Sequence, residues 1–246
     1  MRLLQVILLA IVQGLAELLP VSSSAHVVVA EKLMGLDPSS PDMTLLLVML
    51  HTGTMFAVIA YFWRSWKATY FASRQMFQSF FLRLLGATIL TGVVSEILKK
   101  AIEKTLFRGA QKAEIELLFS RLDLIAPALA AAGLLILIAG LATKQQSKNI
   151  DDSESLTFGQ AAWMGIVQGL ALPFRGFSRS GSTISIGMLV GAAKERAERF
   201  SFALAVVLRG TIYASVCTIV LFSELLTYLP ALEREYSDPG VENPLR

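Results

Sequence analysis

Within an otherwise apolar amino-terminal stretch lies Gln13-Gly14-Leu15-Ala16-Glu17-Leu18-Leu19-Pro20-Val21-Ser22-Ser23-Ser24-Ala25-His26. Gln13 and Glu17 are four residues apart, so on a helix they share one face. A carboxylate in so apolar a segment is costly and by default marks a function with a polar partner. Pro20 breaks a helix, and Ser22, Ser23 and Ser24 suit the start of the next. Hydroxyls and N–H groups at such a start form an anion site. His26, one of two histidines, can exchange protons near neutral pH. A second stretch, Gly176-Phe177-Ser178-Arg179-Ser180-Gly181-Ser182-Thr183, sets hydroxyls and glycines around an arginine. The guanidinium fork is the preferred bidentate partner of phosphate. Glycines such as Gly181 let backbone amides approach an anion closely. One stretch thus offers acid, hydroxyl and imidazole, and the other a cation with donors. That division suits phosphoryl transfer, where positioning and charge neutralisation supply most of the catalysis. A plainer reading stands beside it: serine-rich turns cap helices, a lone histidine serves a local hydrogen bond, and Arg179 pairs with Glu17 to hold two segments together.

The elements that position these residues belong in a bilayer. Of 246 residues 54% are hydrophobic and 17% charged, with a mean hydropathy of +0.59; a soluble domain carries roughly 25% charged residues. Four segments, about 43–63, 79–98, 122–143 and 200–222, meet the roughly 20 mostly apolar residues that a spanning helix needs. Residues 3–35 and 158–193 are apolar but interrupted, the first by Gln13, Glu17 and Pro20, the second by Gln168, Pro173, Arg175 and the Ser-Arg-Ser turn. Such stretches are tolerated at membrane depth only inside protein or beside a water-filled cavity. They are also copies: Ile11-Val12-Gln13-Gly14-Leu15-Ala16 recurs as Ile166-Val167-Gln168-Gly169-Leu170-Ala171, each followed by a proline and a serine cluster. With an odd number of full spans between them, two re-entrant hairpins enter from opposite faces. The fold class expected is therefore all-α, a polytopic membrane protein with an inverted-topology repeat and its site where the broken helices meet. An arm of about 15 residues rises roughly 22 Å, past the centre of a 30 Å core. The expected layout is one membrane domain over 1–246, with repeat halves at 3–143 and 158–229 and a polar tail at 230–246.

Weaker polar signals remain. His51-Thr52-Gly53-Thr54 interrupts a span and either lines the cavity or packs a small-residue notch. Arg209 sits in the last apolar stretch and should face protein or water. Residues 194–199 read as a solvated turn of mixed charge. A single cysteine, Cys217, excludes an internal disulfide and a multi-cysteine metal site, and a scattered net charge of +3 does not suggest nucleic acid. The first residues imitate a secretory signal, but the apolar run continues through Gln13 and Glu17 without a small-residue cleavage site and is expected to be retained. Arg64, Lys67 and Arg74, with no acid between 64 and 75, argue for a cytoplasmic loop. The acidic tail agrees with that orientation, and the loop 99–121, with six basic and three acidic residues, opposes it.

At the two polar stretches the chain closely resembles the bacterial undecaprenyl-diphosphate phosphatase family, the bacitracin-resistance type. His51-Thr52-Gly53-Thr54 and Arg196-Ala197-Glu198-Arg199-Phe200-Ser201-Phe202 also look familial, and the resemblance covers roughly 3–210. It implies hydrolysis of undecaprenyl diphosphate to undecaprenyl phosphate and inorganic phosphate, recycling the lipid carrier of peptidoglycan synthesis. It further implies a divalent cation, Mg²⁺ or Ca²⁺, a place in the cytoplasmic (inner) membrane with the cavity facing outward, and room for a homodimer. Carried across, Gln13 and Glu17 fall at positions tied to metal and catalysis, Ser23 at the nucleophile, His26 at proton transfer and Arg179 at the diphosphate clamp. Ser178, Ser180 and Thr183 would support the clamp. Three departures stand out: Arg175-Gly176 where the family has Pro-Gly, Ala25 where it has glycine, and a second half with one clear span after its hairpin. Two alternatives follow, a polyprenyl-phosphate transporter or flippase that binds the headgroup without cleaving it, and an inactive, shortened relative.

Overall fold

The computed structural model describes residues 3–19, 21–106, 122–146, 156–174 and 176–213. Among them the regular structure is helical: α1 (Leu3–Leu18), α2 (Ser23–Leu33), α3 (Pro41–Tyr70), α4 (Arg74–Leu106), α5 (Leu122–Gln146), α6 (Phe158–Ala171) and α7 (Arg179–Leu189). A further helical stretch over 194–206, called α8 below, completes the described part of a compact unit, Met1–Val206. Of the second unit, Val207–Arg246, residues 207–213 are described and are helical. The expected span 200–222 therefore lies partly outside the described residues, as does the tail.

Among the described residues three helices are long and apolar enough to cross a membrane: Pro41–Tyr70, Arg74–Lys104 and Ile125–Thr143. Helices α3, α4 and α5 contain the expected spans 43–63, 79–98 and 122–143, and α3 and α4 run well beyond theirs. At 30 residues α3 is roughly 45 Å long, so its ends extend past a 30 Å core. It starts where local chemistry dictates: Ser40 caps it by accepting from Met43 N at 3.4 Å, and Pro41 takes the first turn. Only 22, 17 and 17% of the three apolar windows are buried. Large side chains such as Leu45, Met49, Phe56, Ile89, Ile97, Leu134 and Leu141 remain exposed. In water that surface would be an aggregation liability; in lipid it is the ordinary outer face. The protein is a polytopic membrane protein.

The two interrupted segments are broken helices. With 16, 11, 14 and 11 residues, α1, α2, α6 and α7 rise only about 24, 17, 21 and 17 Å, each too short for a full crossing. Within each copy the two short helices pack on one another. In the second copy Gln160 Nε2 donates to Val190 O at 3.2 Å, and Gly187 lies against Met164. As residue numbers rise on α6 they fall on α7, so the pair is antiparallel.

Close packing fixes the second hairpin. A Cβ on Gly165 would sit 2.5 Å from Ala87 O, and one on Gly169 2.7 Å from Thr91 O. This small-xxx-small stripe lets α6 press backbone to backbone on α4. Thr91, fully buried, adds a hydrogen bond to Gly165 O at 2.9 Å. The main core joins α3, α4, α6, α7 and α8 through Val58, Trp66, Ala87, Met164, Ile184 and Phe200. Trp66 Nε1 donates to Arg199 O at 3.0 Å and Phe62 stacks on Phe202, which ties α3 to α8. A separate cluster, Leu9, Val27 and Leu47, holds the first hairpin against α3.

Candidate active site

The first hairpin gathers its polar residues around one carboxylate. On α1, Gln13 Nε2 donates to Glu17 Oε2 at 2.9 Å across one helical turn. At the start of α2, Ser23 Oγ donates to the same Oε2 at 2.6 Å. A carboxylate only accepts, so the amide nitrogen of Gln13 must be the atom facing Glu17. That orientation leaves Gln13 Oε1 fully buried and without a hydrogen-bond partner among the described residues. Thr54 of α3 lies 3.4 Å from Gln13 Nε2 and brings a third helix to the group. Ser22 occupies the N-cap of α2 but makes no side-chain cap bond. Its hydroxyl lies 3.4 Å from that of Ser24.

The second hairpin turns between α6 and α7 through Phe174 N to Ala171 O and Phe177 N to Phe174 O. Ser178 caps α7, its Oγ accepting from Gly181 N at 3.1 Å. Thr183 is fully buried and its hydroxyl bonds Arg179 O at 2.8 Å and Ser201 Oγ of α8. Ser178 and Thr183 thus spend their hydroxyls on holding the turn in shape. Arg179 and Ser180, half-buried, are the first residues of the helix.

One residue joins the two hairpins. Ile125 of α5 packs with Ala25 and Val28 of α2 in a small buried cluster. A Cβ on Gly176 would overlap Ile125 O and lie 2.9 Å from Ala128 Cβ. The residue two past Ser23 and the residue three before Arg179 therefore touch the same point on α5. Glycine is required at 176 because a backbone carbonyl fills the space of a side chain. Gly176→Ala is expected to cost about 1–3 kcal/mol through overpacking and to lower activity with it. Thermal unfolding in detergent checks this, and an unchanged Tm would mean the turn is not seated on α5 as described.

A family model described as Bacitracin resistance protein BacA matches residues 6–230. The chain belongs to that family. Undecaprenyl-diphosphatase 2 of Acinetobacter baylyi is 56% identical over 208 residues, covering 85% of this chain and 71% of the relative. Undecaprenyl-diphosphatase of Polaromonas naphthalenivorans is 34% identical over 211 residues, covering 83% and 69%. The protein of the same name in Methanosphaera stadtmanae is 32% identical over 223 residues, covering 83% and 73%.

In this BacA-family chain, His26 is tied to the backbone of its own helix start. Its Nδ1 lies 2.6 Å from Ser22 O and its side chain is exposed. A carbonyl only accepts, so Nδ1 carries the proton and Nε2 is the nitrogen left for exchange. The group hydrogen-bonded to Ser23 is Glu17. His51 bonds back to Leu47 O at 2.8 Å within α3, while Thr54 of the same motif reaches Gln13. The sequence offers Thr54 only within the His51–Thr54 stretch, as lining a cavity or packing a notch, and does not mark Ser201 as a member of the site. Both sit in stretches marked as familial, but only the packing of α3 on α1 and of α8 on α7 brings them in.

For a divalent cation, Gln13 Oε1 and the Glu17 carboxylate are hard oxygen donors of the type Mg²⁺ and Ca²⁺ take. A buried carbonyl oxygen without a donor, beside a carboxylate, fits such an ion. Among the described residues no group of three or more His, Cys, Asp or Glu could hold a metal. The remaining ligands would have to be water and substrate oxygens, as is usual for Mg²⁺ at phosphates.

Proposed function

We propose that the chain hydrolyses undecaprenyl diphosphate to undecaprenyl phosphate and inorganic phosphate, recycling the lipid carrier of cell-wall synthesis. The observation that carries this reading is the 2.6 Å hydrogen bond from Ser23 Oγ to Glu17 Oε2. A buried hydroxyl on a carboxylate is an activated nucleophile; binding and moving a headgroup would need neither. Ser23 Oγ attacks the terminal phosphorus as its proton passes to Glu17, and the bond to the bridging oxygen breaks. Undecaprenyl phosphate leaves, and water then attacks the phosphoserine to release inorganic phosphate and restore the hydroxyl. Arg179 neutralises charge on the diphosphate oxygens, Ser22, Ser24, Ser180 and the Gly181 turn supply donors, and His26 Nε2 exchanges protons at the mouth of the site. Ser178 and Thr183 keep the clamp in shape. Gln13 and Glu17 would hold Mg²⁺ or Ca²⁺, which when bound neutralises phosphate charge.

The spanning helices α3, α4 and α5 separate the two broken pairs, and an odd number of crossings supports hairpins that enter from opposite faces. The positive residues of 64–75 support placing that loop in the cytoplasm, hence an outward-facing cavity in the inner membrane. Whether two copies pair is read from native mass in detergent, where a homodimer is the proposed state. The test of the reaction is phosphate release from undecaprenyl diphosphate by the purified full chain. Release is expected, lost in EDTA and restored by Mg²⁺ or Ca²⁺. A folded protein that releases none under any metal would be a binder or transporter instead.

A further inference from the structure

The two copies differ at one consequential place. Gln13 and Gln168 are equivalent, and both are at most 1% exposed. In the first copy the amide nitrogen is satisfied one turn later by Glu17. In the second, the residue one turn later is Leu172. Gln168 Nε2 is accordingly buried with no hydrogen-bond partner among the described residues. A buried amide donor without an acceptor costs free energy in any protein, and more so in a membrane interior. Such a group calls for a missing acceptor.

Position says which acceptor. Gln160, Met164 and Gln168 form one stripe of α6. The first bonds Val190 O, and the second lies against Gly187. In this antiparallel pair the next step of the stripe brings Gln168 level with about residue 183, in the first turns of α7. About one turn beyond, Arg179 and Ser180 begin the helix, at the end where the backbone dipole favours an anion. We infer that Gln168 is a phosphate-binding residue: its Nε2 donates to an oxygen of the phosphate group held at the start of α7. That oxygen takes the place Glu17 takes for Gln13. The ligand class, a phosphate or diphosphate ester, rests on the phosphatase reading above.

Gln168→Leu keeps the volume and removes the donor. Because the amide has no hydrogen-bond partner among the described residues, its loss should leave Tm unchanged or higher. The value of kcat/KM on undecaprenyl diphosphate should fall roughly tenfold to a hundredfold, the worth of one hydrogen bond to a charged group. Gln168→Glu should fall further, through repulsion. Two binding arms locate the contact: weaker inhibition by inorganic phosphate assigns it to the terminal phosphate, and weaker binding of undecaprenyl phosphate to the lipid-side one. Should Gln168→Leu not fold, Gln168→Met is measured in its place, and failure of both to fold would make the amide structural and overturn the inference. Unchanged kcat/KM with unchanged binding of both ligands would overturn it, as would a fall in Tm that accounts for the lost activity. If the wild-type chain released no phosphate, the hydrolysis reading would fail, and the binding arms alone would decide. A wild-type chain that bound neither ligand would refute the inference.

Discussion

Ser23→Ala is expected to lower phosphate release by roughly three orders of magnitude or more, because in the proposed reaction it deletes the attacking atom rather than a supporting contact. The residue is 7% exposed and its hydroxyl donates to Glu17 at 2.6 Å. The change also removes one donor from a part-buried carboxylate, so stability should fall by the worth of a hydrogen bond to a charged group, about 1.5–3 kcal/mol, seen as a lower Tm. Substrate binding should survive, since Arg179 and the second hairpin are untouched. Glu17→Gln should give a comparable loss. The double variant should be little worse than either single one, because hydroxyl and carboxylate act as a unit. Additive losses would separate them and leave Glu17 with the metal alone.

Arg179→Ala is expected to cost roughly 10²–10⁴-fold in kcat/KM, the scale of removing a charge-stabilising group from an acyl- or phosphoryl-transfer site. Arg179 opens α7 behind the Ser178 cap, and Thr183 holds its carbonyl. The backbone placement should therefore survive the substitution and the loss should be one of charge. Arg179→Lys restores a point charge without the bidentate fork, so it should recover only part of the activity. Full hydrolysis in Arg179→Ala would remove the clamp from the account and favour the plainer reading, an arginine that holds segments together.

Much of this arrangement could be read in the residues. Hydropathy located α3, α4 and α5, and the Gln-Gly-Leu-Ala duplication with its breakers located both helix interruptions. The pairing of Gln13 with Glu17 follows from a spacing of four, and that of Ser23 with Glu17 needs only a sharp turn after α1. What escaped was set by packing between distant segments. Periodicity says which face of α6 is smooth but not that Gly165 and Gly169 meet α4, nor that Gly176 meets Ile125. Thr54 reaches Gln13 across 41 residues and Thr183 reaches Ser201 across 18, distances at which sequence pattern carries no register. Caps were legible in position more than in chemistry: Ser178 and Ser22 both begin helices, yet only Ser178 makes the cap bond. His26 makes the local hydrogen bond that the plainer reading gave a lone histidine.

In the proposed reaction the Glu17–Ser23 pair and the Arg179 turn share one pocket, because Ala25 and Gly176 both meet Ile125 of α5. Paired-cysteine cross-linking in membranes tests it most directly, with Ser24→Cys and Phe177→Cys introduced in a Cys217→Ser background and joined by a short flexible reagent. Efficient intramolecular cross-linking, reduced by bound undecaprenyl phosphate, is the expected result. No cross-link, in a chain where cysteines replacing Gln160 and Val190 do join, would place the two neighbourhoods apart and contradict the account.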